Sequence, residues 1–335
     1  MLDCWFLGPS SGVLESMGSR TSTSLTVDVS PTPWTGRFDG DGDEHRRWWQ
    51  AVTPHNSTAA AAALRPAVVL GFCSDAGVRR NKGRVGAAAA PAAIRSALAP
   101  LAFHLDRDVF DAGDVVVEDD SLEDGQQRAG RAISELLDAG NLTVVLGGGH
   151  ETAFASYLGL AGSETVRSGK RLGVLNLDAH FDLRDEPTPS SGTPFLQMAQ
   201  EERAAGRELH YAVVGISEPN NTRTLFDTAD RLGVKYLLDE DCSAERVETF
   251  VADFVAGIDV LYLTIDLDVL PASVAPGVSA PAAYGVPLPV INAVCRQVAA
   301  SGTLRHLDVA ELNPGFDIDG RTAKVAARLV NTLLA

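Results

Sequence analysis

Three short runs carry the residues best able to do chemistry. Leu175-Asn-Leu-Asp-Ala-His-Phe-Asp182 places Asp178, His180 and Asp182 at intervals of two. On an extended backbone that spacing turns all three side chains the same way, so potential ligands converge without a turn. Leu261–Ile265 runs straight into Asp266-Leu-Asp268, again spaced by two, and Leu142–Leu146 ends in Gly147-Gly-Gly-His150. The glycines permit a sharp bend and a close backbone approach, which lets His150 project over the edge of a sheet. Two imidazoles and four carboxylates exceed the needs of one cation, and clustered carboxylates repel unless they are neutralised. Two divalent ions, with one or two carboxylates bridging, account for the number. Oxygen and nitrogen donors without thiolate suit Mn2+, with Zn2+, Fe2+ or Co2+ as alternatives. Two such ions about 3.5–4 Å apart can hold a water and lower its pKa towards neutrality. A lone Asp-x-His-x-Asp also arises where Asp caps a turn; three such runs, each after an apolar stretch, point to metal. His45, His55, His104, His210 and His306 have no partner at ligand spacing and read as surface or core residues.

These residues need a frame. From Pro66 onward apolar, β-branched runs alternate with helix-like stretches, the pattern of a parallel sheet covered on both faces. Strands are expected at Ala67–Phe72, Leu142–Leu146, Arg171–Leu177, His210–Ile216, Val234–Leu238, Val260–Ile265 and Leu304–Val309. Helices are expected near Ala90–Leu101, Asp124–Ala139, Glu151–Leu160, Thr222–Leu232, Ala244–Ala256, Pro289–Ala300 and Arg321–Leu334. No internal repeat interrupts them, so residues 66–335 read as one three-layer α/β domain. In such sheets ligands bind beyond the carboxyl ends of the strands, where the polar runs fall.

Ahead of that domain, residues 1–30 are rich in Ser, Gly and Thr and read as disordered or as an overextended start, with Met17 an alternative initiator. Residues 31–65 read as an N-terminal arm whose aromatic segment, Trp34 to Val52, packs onto the domain; Ala59–Ala63 fits a helix fragment or a linker. The formal net charge of -16 argues against nucleic acid as a partner. No apolar run reaches the roughly 18–20 residues of a membrane span, and Asp3 without a basic leader argues against a secretory signal. Cys4, Cys73, Cys242 and Cys295 lie far apart, as reduced thiols of a cytoplasmic protein do.

Gly147-Gly-Gly-His150-Glu, Asp178-Ala-His-Phe-Asp182 and Thr264-Ile-Asp-Leu-Asp268 resemble the three metal motifs of the arginase-like ureohydrolases: arginases, agmatinases and formimidoylglutamases. The resemblance covers about residues 66–335 and implies the arginase-like fold, a central, mostly parallel sheet with helices on both faces. It also implies two Mn2+ per chain. One would take His150, Asp178, Asp182 and Asp266, the other Asp178, His180, Asp266 and Asp268, with Asp178 and Asp266 bridging. Leu307-Asp-Val-Ala-Glu-Leu-Asn-Pro314 resembles a further family motif, in which Glu311 matches the carboxylate that pairs with guanidinium or amidine nitrogens. Such a carboxylate can take two N–H groups of a planar cation and hold its carbon over a hydroxide.

Two departures separate the subfamilies. Arginase- and agmatinase-like chains carry a His in the loop where this one reads Pro189-Ser-Ser-Gly-Thr-Pro-Phe195, so Ser191 stands at the His position, as in formimidoylglutamases. Arg184 follows the second motif where arginases have a neutral Asn. Its fork suits a carboxylate and ill suits cationic arginine or agmatine; its alternative use is a surface pair with Asp185 or Glu186. The loop Gly71 to Gly86 also resembles formimidoylglutamases, and in it Asn81 and Arg84 are candidates to touch the carboxylates; tight turns alone would also explain its glycines. Gly215 to Thr222 resembles a substrate-side loop, and Trp34–Arg37 with His45–Gln50 resembles the N-terminal arm of the same subfamily. The expected reaction is hydrolysis of N-formimidoyl-L-glutamate to L-glutamate and formamide, a step of histidine degradation, by a hydroxide held between two metal ions. Asp182 would relay its proton to the leaving nitrogen. A small dicarboxylate amidine is thus the expected partner, and family resemblance implies a homo-oligomer. The alternatives are an agmatinase or other guanidino-acid ureohydrolase, which Arg184 and Ser191 speak against, and a non-catalytic metal-binding homologue.

Overall fold

A computed structural model describes Met1 and residues 25–335; most of the segment expected as disordered, residues 2–24, lies outside the described residues. Among the described residues nine strands form one sheet: β1 Thr53–Pro54, β2 Ala67–Cys73, β3 Val109–Val116, β4 Leu142–Leu146, β5 Leu172–Leu177, β6 His210–Ile216, β7 Lys235–Leu238, β8 Val260–Asp266 and β9 Leu304–Ala310. Their order is β1-β3-β2-β4-β9-β8-β5-β6-β7, and every pairing is parallel. The last strand in sequence is thus inserted between β4 and β8, at the middle of the sheet.

Alternation along the strands builds a core on each face. Leu263, Ile265, Leu307 and Val309 join one apolar cluster with the Ala90–Leu98, Leu288–Ala300 and Arg321–Leu334 helices. Val68, Leu70, Val145 and Tyr262 join the other with the Leu122–Asp138 and Thr152–Gly162 helices. The seven strands and seven helices expected from the sequence are present, with ends shifted by up to three residues.

Two strands and some helices were not foreseen. β3 reads Val-Phe-Asp-Ala-Gly-Asp-Val-Val, too polar to register as a buried strand. Its carboxylates are neutralised from a distance in sequence: Arg95 Nε lies 2.9 Å from Asp111 Oδ2 and Nη1 2.5 Å from Asp114 Oδ1. Trp34 Nε1 also donates to Asp111, at 2.7 Å, tying the arm down. Asp28 and Val29 dock on the same strand, both amides donating to Asp114 O, so the expected disorder does not reach residue 30. Trp48 is fully buried, stacks with Trp34 and donates to Asn331 Oδ1 at 2.9 Å. Ser57–Ala61 is helical, capped by Asn56, whose side chain accepts from the amides of Thr58 and Ala59. The Pro194–Ala204 helix escaped notice because it starts on a proline in a loop-like run.

His306, on β9, is fully buried, with Nδ1 2.5 Å from Thr143 Oγ1. Burial pushes its imidazole down to about 3. In the unfolded chain it titrates near 6.5. Above that value both states are neutral and nothing is gained or lost. As pH falls from 6.5 towards 3 the unfolded state binds the extra proton, so stability declines by up to about 1.4 kcal/mol per pH unit. Urea unfolding of wild type is therefore expected to lose about 2 kcal/mol more than His306→Gln between pH 6.5 and 5. Parallel pH dependences would remove His306 from the acid sensitivity of the fold.

Candidate metal centre

The four central strands, β4, β9, β8 and β5, each deliver part of one site at their carboxyl ends. His150 follows β4, Glu311 follows β9, Asp266 ends β8 with Asp268 just beyond, and Asp178 to Asp182 follow β5. The glycine turn before His150 is forced by close approach: a Cβ on Gly148 would stand 1.8 Å from Ser74 O.

The ligand runs converge by turning, which corrects the expectation of an extended backbone. β5 stops at Leu177 and the chain bends at Ala179 and His180. Asp178 Oδ1 accepts the His180 amide at 2.7 Å, and Asp266 Oδ1 accepts the Asp268 amide at 2.8 Å. In both runs the i, i+2 pair is thus closed by the first carboxylate gripping the second residue's N–H. Asp182 completes the turn in the left-handed region, with φ 49. Asn221 holds the loop from behind: its Oδ1 accepts the Phe181 amide and its Nδ2 donates to Ala179 O.

His150 Nδ1 lies 3.1, 3.0 and 3.2 Å from oxygens of Asp178, Asp182 and Asp266. His180 Nδ1 lies 3.1 Å from Asp268 and 3.5 Å from Asp178. Donors at about 2.1 Å on adjacent corners of an octahedron are themselves about 3 Å apart, so these separations suit ligands around a cation. Two groups form, His150 with Asp178, Asp182 and Asp266, and His180 with Asp178 and Asp268. Only Asp178 is common to both. Asp266 falls in the first group alone, its Oδ1 accepting the Asp268 amide and its Oδ2 facing His150.

The electrostatics call for added positive charge. Burial, then the charges of Asp268 and Asp178, push Asp266 well above the usual carboxylate range. Burial and Asp178 raise Asp182 as well. Burial also opposes the charge on Asp178, but hydrogen bonds from His150 and His180 outweigh it and hold that carboxyl low. Two divalent cations would offset the four Asp charges, and the donor set, imidazole and carboxylate without thiol, fits Mn2+. Behind the ligands, His150 Nε2 lies 3.0 Å from Thr264 Oγ1, which donates at 2.6 Å to the buried Asp308. Ser156 and Tyr262 donate to the same carboxylate. This chain orients the ring and leaves Nδ1 for a cation. Thr264 and Asp308 were missed as support although both stand inside the quoted motifs.

Above the ligands opens a cavity of 320 Å³. Glu311 lines it at φ 69; its Oε1 accepts the His150 amide at 2.8 Å and its Oε2 is buried with no partner among the described residues. Burial, then the charge of Glu151, raise the Glu311 carboxyl to about 8. Arg184, Ser191 and Asn81 line the same cavity. They adjoin one another: Asn81 Nδ2 donates to Ser191 Oγ at 3.1 Å, and a Cβ on Gly192 would come within 2.7 Å of Arg184 Cδ. Arg184 is half-exposed and sits 3.9 Å from Glu186, too far for a hydrogen bond. Arg84 departs from expectation. Its guanidinium donates to Ser279 O and Val278 O, stacks on Phe316 at 4.4 Å, and does not line the cavity. Lys82, two residues earlier, lines it instead, together with Asn220, Asn221 and Ser279.

The family model described as "Arginase family" matches residues 65–335. A formimidoylglutamase of Nocardia farcinica is 58% identical over 307 residues, covering 91% of this chain and 97% of that protein. A formimidoylglutamase of Rhodococcus opacus is 56% identical over 309 residues, covering 91% and 96%. Among solved structures, the formimidoylglutamase from Bacillus subtilis superposes with a TM-score of 0.75 at 19% identity, covering 85% of this chain and 90% of that one. Trypanosoma cruzi formiminoglutamase with Mn2+2 gives 0.71 at 23% identity, covering 80% and 92%. These two structures speak for the shared fold.

Proposed function

The chain belongs to the arginase family, and we propose that it hydrolyses N-formimidoyl-L-glutamate to L-glutamate and formamide. One observation carries the reading within the family: the cavity has a buried carboxylate oxygen, Glu311 Oε2, without a partner among the described residues, in the same space as the Arg184 guanidinium, whose ion pair with Glu186 is a loose 3.9 Å. A substrate with a cationic amidine and anionic carboxylates matches both. A guanidino substrate such as agmatine, which bears no carboxylate, would leave Arg184 facing a cation.

His150, Asp178, Asp182 and Asp266 would hold one Mn2+, and Asp178, His180 and Asp268 the other. When bound, the pair supplies the Lewis acidity that makes water a nucleophile near neutral pH. Glu311 does the positioning. The His150 amide fixes Oε1, so Oε2 is free to accept an amidinium N–H and hold the formimidoyl carbon over the ligand cluster. As water adds to that carbon, Asp182 accepts the proton it gives up and returns it to the nitrogen of glutamate. The C–N bond then breaks, formamide keeps the new oxygen, and the second proton of the water passes to the departing amine, which carries the positive charge away as the ammonium of glutamate. Arg184 holds a carboxylate, with Ser191 and Asn81 packed beside it.

We place the enzyme in the cytoplasm as a homo-oligomer. Unpaired Cys73, Cys242 and Cys295 support a reducing compartment, and no helix among the described residues is long and apolar enough to cross a membrane. The oligomer rests on family membership. The test of function is turnover by Mn2+-loaded protein on N-formimidoyl-L-glutamate, agmatine and arginine in parallel. Formamide and glutamate from the first alone are expected. Urea from either of the others would overturn the substrate and leave the metal chemistry standing.

A further inference from the structure

A dicarboxylate needs two cations, and the cavity has two to offer. His150 and His180 are engaged by carboxylates, so Lys82 and Arg184 are the cationic side chains left lining it among the described residues. Lys82 is exposed and makes no ion pair or side-chain hydrogen bond among those residues. Its backbone is the telling part. It sits at φ 61, a left-handed conformation that L-residues disfavour and glycine adopts freely.

The surroundings impose that conformation on whatever residue stands there. The Lys82 amide donates to Arg79 O at 3.0 Å and the Gly83 amide to Val78 O at 2.8 Å. The Arg84 amide donates to Ser279 Oγ at 2.9 Å, and Arg84 O accepts from Asn313 Nδ2 at 2.9 Å. Arg84 is thus a clamp: its side chain bonds the 278–279 segment and fixes the corner on which Lys82 stands. A rigid corner bearing a strained, unpartnered cation over the cavity is the arrangement expected of a residue kept for its charge.

We propose that Lys82 is a specificity-determining residue that holds the distal carboxylate of the substrate, while Arg184 holds the carboxylate beside the amidine nitrogen. The distal group lies two methylenes farther out, which matches an exposed corner at the mouth. This inference rests on the dicarboxylate substrate proposed above.

Lys82→Gly is the discriminating variant, because it removes the cation and relieves the backbone at once. Its melting temperature should equal or exceed that of wild type, whereas a structural lysine would lower it. KM for N-formimidoyl-L-glutamate should rise about tenfold or more with kcat within about twofold, the mark of binding shared by ground and transition states; Lys82→Arg should restore most of it. The effect should vanish on N-formimidoyl-L-alanine, which lacks the distal carboxylate, and persist on N-formimidoyl-4-aminobutyrate, which keeps it. An unchanged KM on N-formimidoyl-L-glutamate, or the reverse pattern on the two truncated substrates, overturns the proposal. Calorimetric binding of glutarate to the Mn2+-loaded proteins decides the matter without turnover: about tenfold weaker binding to Lys82→Gly supports the role and equal binding rejects it. Were wild type inactive on N-formimidoyl-L-glutamate, the proposed reaction would fall while the glutarate measurement still judged Lys82.

Discussion

Glu311→Gln is expected to lower kcat/KM for N-formimidoyl-L-glutamate by about 10³-fold while two metal ions remain bound. The substitution keeps the shape. A Gln carbonyl oxygen can still accept the His150 amide that Glu311 Oε1 accepts at 2.8 Å, so the side chain stays where it is. What changes is the atom facing the cavity: a buried acceptor, Oε2, becomes an NH2 donor. A donor set against the N–H groups of an amidinium repels the substrate it should orient. Burial and Glu151 already disfavour a charge at this position, so a neutral amide there should leave the melting temperature equal or raised. Loss of activity in a protein of intact metal content and equal or greater stability would locate the defect in amidine positioning. Unimpaired turnover would remove Glu311 from the mechanism.

Asp178→Asn should be as damaging by a different route. Asp178 is the ligand common to both groups, and it also accepts from Asn176 Nδ2 and from the His180 amide, which shape the ligand loop. Elemental analysis is expected to find fewer than one Mn2+ per chain, with kcat/KM down by about 10³-fold or more. The rise in melting temperature that Mn2+ gives wild type by binding the folded state should largely disappear. Asp268→Asn is the control, since Asp268 belongs to one group only and its variant should keep one ion. Two ions retained by Asp178→Asn would show that the shared ligand is dispensable.

The ligand side chains and much of the fold are legible in the chain because the signals are local. A parallel strand buried on both faces must be apolar along its length, so β4, β5, β8 and β9 stand out, and the polar residue ending each run stands out with them. β3 was invisible for the matching reason: its Asp111 and Asp114 become tolerable inside only through Arg95 and Trp34, distant in sequence. The turns at Asp178 and Asp266 were misjudged because alternation by two is the same in an extended strand and in a turn closed on the second residue's amide.

The sequence by itself thus determined which residues are candidates to bind metal, which strands carry them, and that a carboxyl, Glu311, and a guanidinium, Arg184, stand just beyond runs of the same kind. Tertiary structure alone decided that β9 lies between β4 and β8, which puts Glu311 beside His150. It also decided that Thr264 and Asp308 orient His150 and that Arg84 clamps a loop while Lys82 faces the cavity. The reason is physical. A ligand's type is a property of one residue and its near neighbours, whereas the direction a loop side chain takes is set by the partners that reach it. For Arg84 those are Val278, Ser279 and Phe316, roughly two hundred residues away along the chain.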